Sequence, residues 1–327
     1  MAELNIKHKF SISGFGYYLP PKVETSEQLA KKINKSSDWI ISRTGVKERR
    51  ISEIDVDKMG AIAADMAIGE KSPPDLIINA SGVPKQTIPD TSVFIQKELG
   101  YKNIPSFSVH ATCLSFIVAL NVAGSLISSN SYDKILIISS DRGTRGRNFN
   151  EPESSSLLGD AAGALYIERN SNSEGGIISY NMQTYPEGSG LTEVRGGGTN
   201  LHPEDSATQI EDNLFSMNGP MVYKMARKKV YDMIAHDLSI NNLNQNDIDL
   251  VVPHQASGMA VKAYSKFGGF NQNKVVDIIS TTGNCVAASV PLALALSLKD
   301  GIVKNNDLIY LVGTGAGLSI ASILLKL

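Results

Sequence analysis

The sequence has 327 residues, of which 42% are hydrophobic and 20% are charged, an ordinary profile for a globular protein large enough to hold two fused domains. Its 31 basic and 33 acidic side chains leave a formal charge of −2, which gives no reason to expect binding to nucleic acid or to an anionic membrane. No apolar run approaches the roughly 18 residues that cross a bilayer, and the amino terminus lacks a signal-peptide core. We therefore expect a cytoplasmic protein.

The chain alternates short apolar runs, typical of buried strands, with stretches of helical periodicity. A capping box, Thr25-Ser-Glu-Gln28, predicts the start of the first helix. Further helices are predicted over residues 59–66, 222–233 and 287–298. The candidate strands are, in chain order, residues 10–16, 76–80, 135–139, 164–168, 177–182, 249–252, 308–312 and 319–326. This alternation predicts an α/β protein with sheets covered on both faces.

Two parts of the chain look like weak repeats of each other. Cys113 and Asn284 each precede a long apolar helix, and they lie about half the chain apart. A strand that runs into a polar turn also occurs twice, at residues 134–143 and 307–315. We therefore predict two related halves, residues 1–172 and residues 173–327, joined by a polar, glycine-containing linker.

Cys113 is the most informative single residue. A short strand pattern precedes it and a helical pattern follows it, so the cysteine lies at a strand-to-helix junction. Free backbone N–H groups and the helix dipole favour the thiolate at such a position, which makes Cys113 a candidate nucleophile. Cys285 is the only other cysteine, and no Cys-x-x-Cys or His-x-x-x-His pair indicates a metal site.

His254 and Asn284 are candidate partners of Cys113. His254 ends a predicted strand, at the sheet edge where α/β proteins gather ligands. Asn284 follows a glycine at a turn into a helix, where its amide can donate a hydrogen bond. Each residue also has an ordinary structural interpretation, because cysteines pack in cores, histidines bond to neighbours and Gly-Asn forms turns. Their shared position at strand or helix ends favours a common site.

Six motifs in order give the chain a family resemblance. They are residues 38–49, the segment around Cys113, residues 159–164, residues 253–256, Gly283-Asn284 with residues 287–291, and residues 313–317. In these motifs the chain resembles the β-ketoacyl-acyl-carrier-protein synthase III family, condensing enzymes of the thiolase fold. The resemblance implies two related α/β halves in a five-layered αβαβα architecture.

The resemblance also implies a mechanism. Cys113 is the acyl acceptor, taking an acyl group from acyl-CoA, which is a substrate, so no cofactor and no metal are expected. His254 and Asn284 donate hydrogen bonds to the thioester carbonyl of a malonyl group on an acyl carrier protein. The backbone N–H groups of Cys113 and Gly317 form the oxyanion hole of the condensation step. A homodimer is the expected assembly.

Three further positions match substrate-binding positions of the family. Trp39 and Arg43 correspond to the mouth of the CoA channel, where an indole can stack on adenine and a guanidinium can bind phosphate. Ile88 stands where an aromatic residue commonly limits acyl length. Other departures from the common pattern are Pro152 for an arginine over adenine, Met259 for a basic carrier contact, and Ser257 for an asparagine. The acyl donor is therefore expected to differ from plain acetyl-CoA.

A cluster of arginines suggests one specific donor. Arg142, Arg145 and Arg147 directly follow a predicted core strand. An arginine there could bind a distal carboxylate, as in relatives that condense a glutaryl thioester to 3-oxopimeloyl-carrier protein for biotin synthesis, and Arg145 is then our candidate. The alternative is that these arginines are solvated or contact the carrier protein.

Other functions remain open for this set of residues. Papain-like proteases also carry cysteine, histidine and asparagine in this order, but they differ around the cysteine and usually contain disulfides. A relative that only transfers or hydrolyses acyl groups, in secondary metabolism for example, needs Cys113 alone. A non-catalytic carrier-binding subunit would be expected to lose the nucleophile, which is present here.

Overall fold

A computed structural model describes residues 4–172 and 174–327. The strands are β1 (His8–Lys9), β2 (Ser11–Tyr18), β3 (Lys22–Thr25), β4 (Glu48–Ile51), β5 (Leu76–Asn79), β6 (Ser106–Ser108), β7 (Lys134–Arg142), β8 (Asp160–Glu168), β9 (Gly176–Thr184), β10 (Thr192–Glu193), β11 (Ser216–Met217), β12 (Leu250–Pro253), β13 (Leu308–Gly315) and β14 (Ser319–Lys326). The α-helices are α1 (Ser26–Ile33), α2 (Ser37–Thr44), α3 (Val56–Ile68), α4 (Thr91–Glu98), α5 (Ser115–Ser128), α6 (Pro152–Ser155), α7 (Gly219–Ile240), α8 (Gly258–Lys266), α9 (Ile279–Thr282) and α10 (Ser289–Lys299).

Two five-stranded sheets share one connection pattern. The first has the order β2-β8-β7-β5-β6 and the second the order β1-β9-β14-β13-β12. In the first sheet β2, β8 and β7 are antiparallel, and β5 and β6 continue parallel to β7. The second sheet repeats this arrangement with β9, β14 and β13 antiparallel and β12 parallel to β13. The repeated order agrees with a duplicated α/β unit.

The two apolar helices α5 and α10 lie between the sheets. Helix α5 contacts β5 and β7 of the first sheet and β9 and β14 of the second, while α10 contacts β2, β8 and β12. Helices α3 and α4 cover the outer face of the first sheet, and α7 covers the outer face of the second. These five layers confirm the predicted αβαβα architecture. Placing a helix between two sheets buries most of its surface, which requires the largely apolar character of both sequences.

The structure differs from the sequence prediction at the amino terminus. Strand β1 pairs with β9 and so belongs to the second sheet, where His8 lies opposite Ile177. A two-residue strand has too little periodicity to be recognised in a sequence. The division into residues 1–172 and 173–327 stays a prediction, and residue 173 lies outside the described residues.

The repeat also aligns differently from our expectation, which paired Cys113 with Asn284. Each central helix is preceded by a 3-10 turn, Thr112–Leu114 before α5 and Val286–Ala288 before α10. The first residue of each turn has a positive φ, 50° in Thr112 and 51° in Val286. Cys113 therefore corresponds to Ala287, and Asn284 lies just ahead of the second turn.

Gly163 allows α10 to pack directly on β8. A Cβ atom at this position would lie 2.7 Å from the backbone nitrogen of Leu292 and 2.8 Å from the carbonyl carbon of Pro291. Both atoms belong to a helix backbone between two sheets, so neither can move without disturbing the core.

We therefore predict that Gly163→Ala lowers the free energy of unfolding by about 1–3 kcal/mol, the usual cost of overpacking a core. Gly190→Ala is the matched control, because nothing lies within 4 Å of its added methyl group, and it should change stability by less than about 1 kcal/mol. Urea unfolding followed by circular dichroism measures both. Equal stabilities of the two variants would contradict this account of the packing.

Candidate active site

A cavity of about 410 Å³ leads from the protein surface to His254. Its walls come from helices α7 and α8, and Arg43 lies at its border. Apolar and aromatic side chains such as Val222 and Tyr223 line most of it. Cys113 and Asn284 do not line this cavity. Of the three expected catalytic residues, His254 alone borders it.

Cys113 lies in the 3-10 turn that begins the central helix α5 and is only partly exposed. Burial, and after it the nearby carboxylate of Asp141, raises the pKa of the thiol to about 12. The backbone N–H groups of Ala316 and of Cys113 lower it, but by less. Our expectation of a thiolate was therefore wrong for the free protein, because desolvation outweighs the helix terminus.

Asp141 is a buried carboxylate that sequence analysis missed. It accepts hydrogen bonds from the backbone N–H groups of Gly82 and Val83, both at 3.0 Å, and of Ala288 at 3.1 Å. It thus joins the first half to the turn before α10. Burial raises its pKa to about 7 even against these donors. The sequence does contain a signal for Asp141, because this residue lies near the end of a buried strand. We had grouped its position with the arginine-rich turn that follows the strand.

His254 follows β12 and is 4% exposed. Its backbone N–H donates to Val312 at 2.8 Å, and its Nδ1 atom has no hydrogen-bond partner within the described part of the chain. Burial lowers the pKa of the imidazole to about 4. The ring is therefore neutral at pH 7, and one of its nitrogens carries a proton that it can donate.

Gly313 brings His254 close to the cysteine turn. A Cβ atom at Gly313 would lie 2.8 Å from the Cβ atom of His254 and 3.2 Å from the Cδ2 atom of Leu114. Only a glycine in β13 leaves room for both side chains. The histidine of the second half and the residue after Cys113 thus flank the same strand backbone.

Asn284 is fixed through both its backbone and its side chain. Its N–H donates to Leu157 at 2.8 Å, and its carbonyl accepts from Gly159 at 2.9 Å. The side-chain oxygen accepts from the Val286 N–H at 2.9 Å, and Nδ2 donates to the carbonyl of Ala256 at 3.3 Å. An amide nitrogen has two N–H groups, and only one of them has a partner among the described residues. Ala256 is two residues after His254, which ties the two positions together.

The expected CoA-mouth residues, Trp39 and Arg43, lie one turn apart in α2. Trp39 is partly exposed, and the ammonium group of Lys35 lies 5.3 Å from its ring centre. Arg43 is exposed and borders the cavity. Gly317 follows Ala316 in the β13–β14 hairpin with φ 119°. Its role in an oxyanion hole stays a prediction.

The structure does not bring the two other expected substrate residues to this cavity. Ile88 is 80% exposed, and Arg145 is exposed as well. Arg142 is bound to Asp55 and Arg147 to Glu24. Arg145 is the one member of this arginine cluster for which no ion pair occurs among the described residues.

Two protein-family models match the chain. Residues 107–186 match 3-oxoacyl-[acyl-carrier-protein] synthase III, and residues 238–327 match the carboxyl-terminal part of the same family. The β-ketoacyl-[acyl-carrier-protein] synthase III of Rickettsia bellii is 33% identical over 96% of this chain and 98% of its own length. The synthase of Clostridium acetobutylicum is also 33% identical, with the same two coverages.

Solved structures agree with these relatives. The 3-oxoacyl-[acyl-carrier-protein] synthase III of Aquifex aeolicus has a TM-score of 0.89 and 30% identity, covering 98% of this chain and 100% of its own. The priming β-ketosynthase of the R1128 polyketide pathway has a TM-score of 0.88 and 26% identity, covering 100% of this chain and 99% of its own.

The layered fold and these relatives define a thiolase-fold condensing enzyme, a class of acyltransferases. Within that class the chain belongs to the β-ketoacyl-acyl-carrier-protein synthase III family. In residues 4–172 and 174–327 no helix is long and apolar enough to cross a membrane. The same residues contain no cluster of three or more side chains able to hold a metal ion.

The raised thiol pKa predicts how the free enzyme reacts with iodoacetamide. Because the thiolate is the reacting form, alkylation of Cys113 should rise about tenfold per pH unit from pH 7 to pH 10. Asp141→Asn removes the neighbouring negative charge, so it should lower the pKa and speed alkylation at pH 8. Mass spectrometry follows the reaction, with Cys113→Ala correcting for Cys285. A rate that is already constant above pH 7 would contradict the raised pKa.

Proposed function

We propose that the chain catalyses the decarboxylating Claisen condensation of an acyl-CoA with malonyl-acyl carrier protein, giving 3-oxoacyl-acyl carrier protein. The observation that carries this proposal is the buried, neutral His254 beside an Asn284 amide that has a spare N–H group. Two neutral donors suit an oxygen that becomes negatively charged.

The first step transfers the acyl group to Cys113. The cysteine sulfur bonds to the thioester carbonyl carbon, the bond from that carbon to the CoA sulfur breaks, and the cysteine proton ends on the departing CoA thiol. A thiol with a pKa of about 12 can exchange in this way with the thioester of acyl-CoA. Between turnovers the cysteine then stays protonated and is not a reactive thiolate. The N–H groups that point at the sulfur support the charge while it forms.

The second step uses His254 and Asn284. Both donate to the malonyl thioester oxygen, CO2 leaves, and the electron pair of the broken bond forms an enolate that the two donors stabilise. The enolate carbon then attacks the acyl-Cys113 carbonyl, whose oxygen is held by the backbone N–H groups of Cys113 and Gly317. Collapse releases 3-oxoacyl-carrier protein and returns the cysteine, which takes up a proton.

Substrate delivery uses the cavity between α7 and α8. Arg43 at its border would bind CoA phosphate, and Trp39 would stack on the adenine. The acidic carrier protein would dock on exposed lysines of the same two helices, Lys224, Lys228 and Lys262. The name of the Rickettsia bellii relative contains acyl carrier protein, which supports this assignment and a role in fatty acid synthesis. We propose the cytoplasm as the location.

We also infer a homodimer. Strand β6 is the edge of the first sheet, and its outer side pairs with no other described strand. Phe107 in this edge is 38% exposed. The adjoining helix α5 leaves Val118, Val122 and Leu126 partly exposed along one face. An apolar edge of this kind favours pairing with a second copy.

A glutaryl donor is the second candidate, leading to 3-oxopimeloyl-carrier protein for biotin synthesis. It is favoured by one observation: Arg145 is exposed and has no ion pair in the described part of the chain, whereas its neighbours Arg142 and Arg147 are both paired. A free guanidinium can bind a distal carboxylate through two hydrogen bonds.

The first prediction of the proposed function concerns acylation. Wild type mixed with acetyl-, octanoyl- or glutaryl-CoA should gain the mass of one acyl group, and Cys113→Ala should gain none, because the thioester forms on that sulfur. Intact-protein mass spectrometry measures the gain, and the preferred adduct identifies the donor class.

Labelling by glutaryl-CoA alone would favour the second candidate. The Arg145→Ala variant should then no longer be labelled by glutaryl-CoA. Labelling by octanoyl-CoA or acetyl-CoA would instead support a role in fatty acid synthesis. A wild type that accepts none of the three donors would contradict acyl-CoA as the priming substrate.

The second prediction separates the two half-reactions. His254→Ala and Asn284→Ala should still accept the acyl group but decarboxylate malonyl-carrier protein about 100- to 1000-fold more slowly, the usual loss for one oxyanion donor. Release of labelled CO2 measures decarboxylation. If acylation falls as much as decarboxylation in both variants, the proposed division of roles is wrong.

A further inference from the structure

Arg49 is a charged side chain at the centre of the fold. It belongs to β4 and is 0% exposed, one of the largest fully buried side chains among the described residues. Its Nη2 atom donates to Ser26 Oγ at 2.9 Å and to the carbonyl of Ser156 at 3.3 Å, and Nη1 donates to the carbonyl of Glu24 at 3.3 Å. One guanidinium thus joins the antiparallel pair β3 and β4 to the segment before β8.

The charge of Arg49 is poorly compensated. The nearest carboxylate, Glu24, lies 3.9 Å away and is shared with Arg147 and Lys32, each at 2.5 Å. The Nε atom of Arg49 has no partner within the described chain, and burial lowers the pKa of the guanidinium to about 10. Buried ion groups of this kind are weak sources of stability, and apolar residues of similar size often serve as well. The stability of β4 therefore does not explain why an arginine occupies this buried position.

The bonds of Arg49 lead to Asn284. Ser156, which accepts from Arg49, is followed by Leu157, which accepts the Asn284 N–H, and Gly159 donates to the Asn284 carbonyl. Arg49 also packs on the other side of this contact. A Cβ atom at Gly283 would lie 3.2 Å from the Arg49 Cβ atom, and one at Gly159 would lie 3.5 Å from it.

We propose that Arg49 is a positioning residue for Asn284. The guanidinium holds the Ser156 carbonyl, and the arginine stem packs against the glycines on either side of the backbone pair that fixes Asn284. That pair holds the backbone of Asn284, from which the amide extends to Ala256 and Val286, and Gly283, with φ 70°, adds no side-chain contact of its own. The inference rests on the proposed role of Asn284 as a donor to the malonyl thioester.

The test is the pair of half-reactions in Arg49→Met. A methionine fills much of the space and removes the hydrogen bonds, and Glu24 keeps Arg147 and Lys32 as partners. We expect decarboxylation of malonyl-carrier protein to fall by about 100-fold, the effect of displacing a catalytic group by about 1 Å. Acylation of Cys113 should stay within about twofold of wild type, because the hydrogen bonds of Arg49 in the described chain go to Glu24, Ser26 and Ser156 and not to that turn.

Tyr310→Phe is the matched control. Tyr310 is also buried and donates to Asp237 at 2.7 Å, so its loss weakens the fold away from Asn284. The control should keep both half-reactions even where its melting temperature falls as far as that of Arg49→Met. Amide hydrogen exchange should be faster at Asn284 and Gly159 in Arg49→Met and unchanged there in Tyr310→Phe.

Decarboxylation at the wild-type rate in Arg49→Met, or an equal loss of acylation and decarboxylation, would overturn the positioning role. If Arg49→Met does not fold, Arg49→Lys serves instead, since it keeps the charge and one donor, and it should show the same selective loss. A wild type that does not decarboxylate malonyl-carrier protein would contradict the proposed function itself, a different result from either of these.

Discussion

The fold depends on the burial of two helices, α5 and α10, between two sheets. Because each helix contacts strands of both sheets, the helices cannot be displaced separately, and their first turns must meet. Gly82 lies at that meeting, where a Cβ atom would be 2.5 Å from Val286 Cγ1 and 3.3 Å from the Thr112 carbonyl. The left-handed conformations of Thr112 and Val286 are costly for β-branched residues. The packing around these two residues stabilises both turns. Cys113 is the residue directly after Thr112 in the chain.

Burial also determines the protonation of the site. The same exclusion of water raises the pKa of the Cys113 thiol and lowers that of the His254 imidazole, because it disfavours the charged form of each. A thiolate–imidazolium pair, on which papain-like proteases depend, is therefore the arrangement that this interior resists. Neutral donors are the arrangement it favours, and the carboxylate of Asp141 adds negative charge rather than removing it.

Much of the fold could be predicted from the sequence, because strands and helices here have clear periodicity. The strand at residues 319–326 and the capping box before α1 both occur as expected. The long-range contacts could not be predicted. Strand β1 joins the far sheet, Asp141 bonds to backbone of both halves, and Arg49 reaches a segment more than a hundred residues away. A local pattern contains no information on such partners. It also does not show how deeply Cys113 is buried, which is the main cause of its raised pKa, with Asp141 second.

The division of the site between the halves has a chemical consequence. Cys113 comes from the first half, and His254 and Asn284 come from the second, but their backbones meet through β13 and through the segment before β8. The nucleophile and the two donors therefore come from distant parts of the chain that meet at this point. In the proposed reaction the two donors would face the malonyl thioester oxygen, while Cys113 would hold the acyl group that the enolate carbon attacks. The glycines at 159, 283 and 313 permit this approach, since a side chain at any of them would meet neighbouring atoms, and the two units would be forced apart.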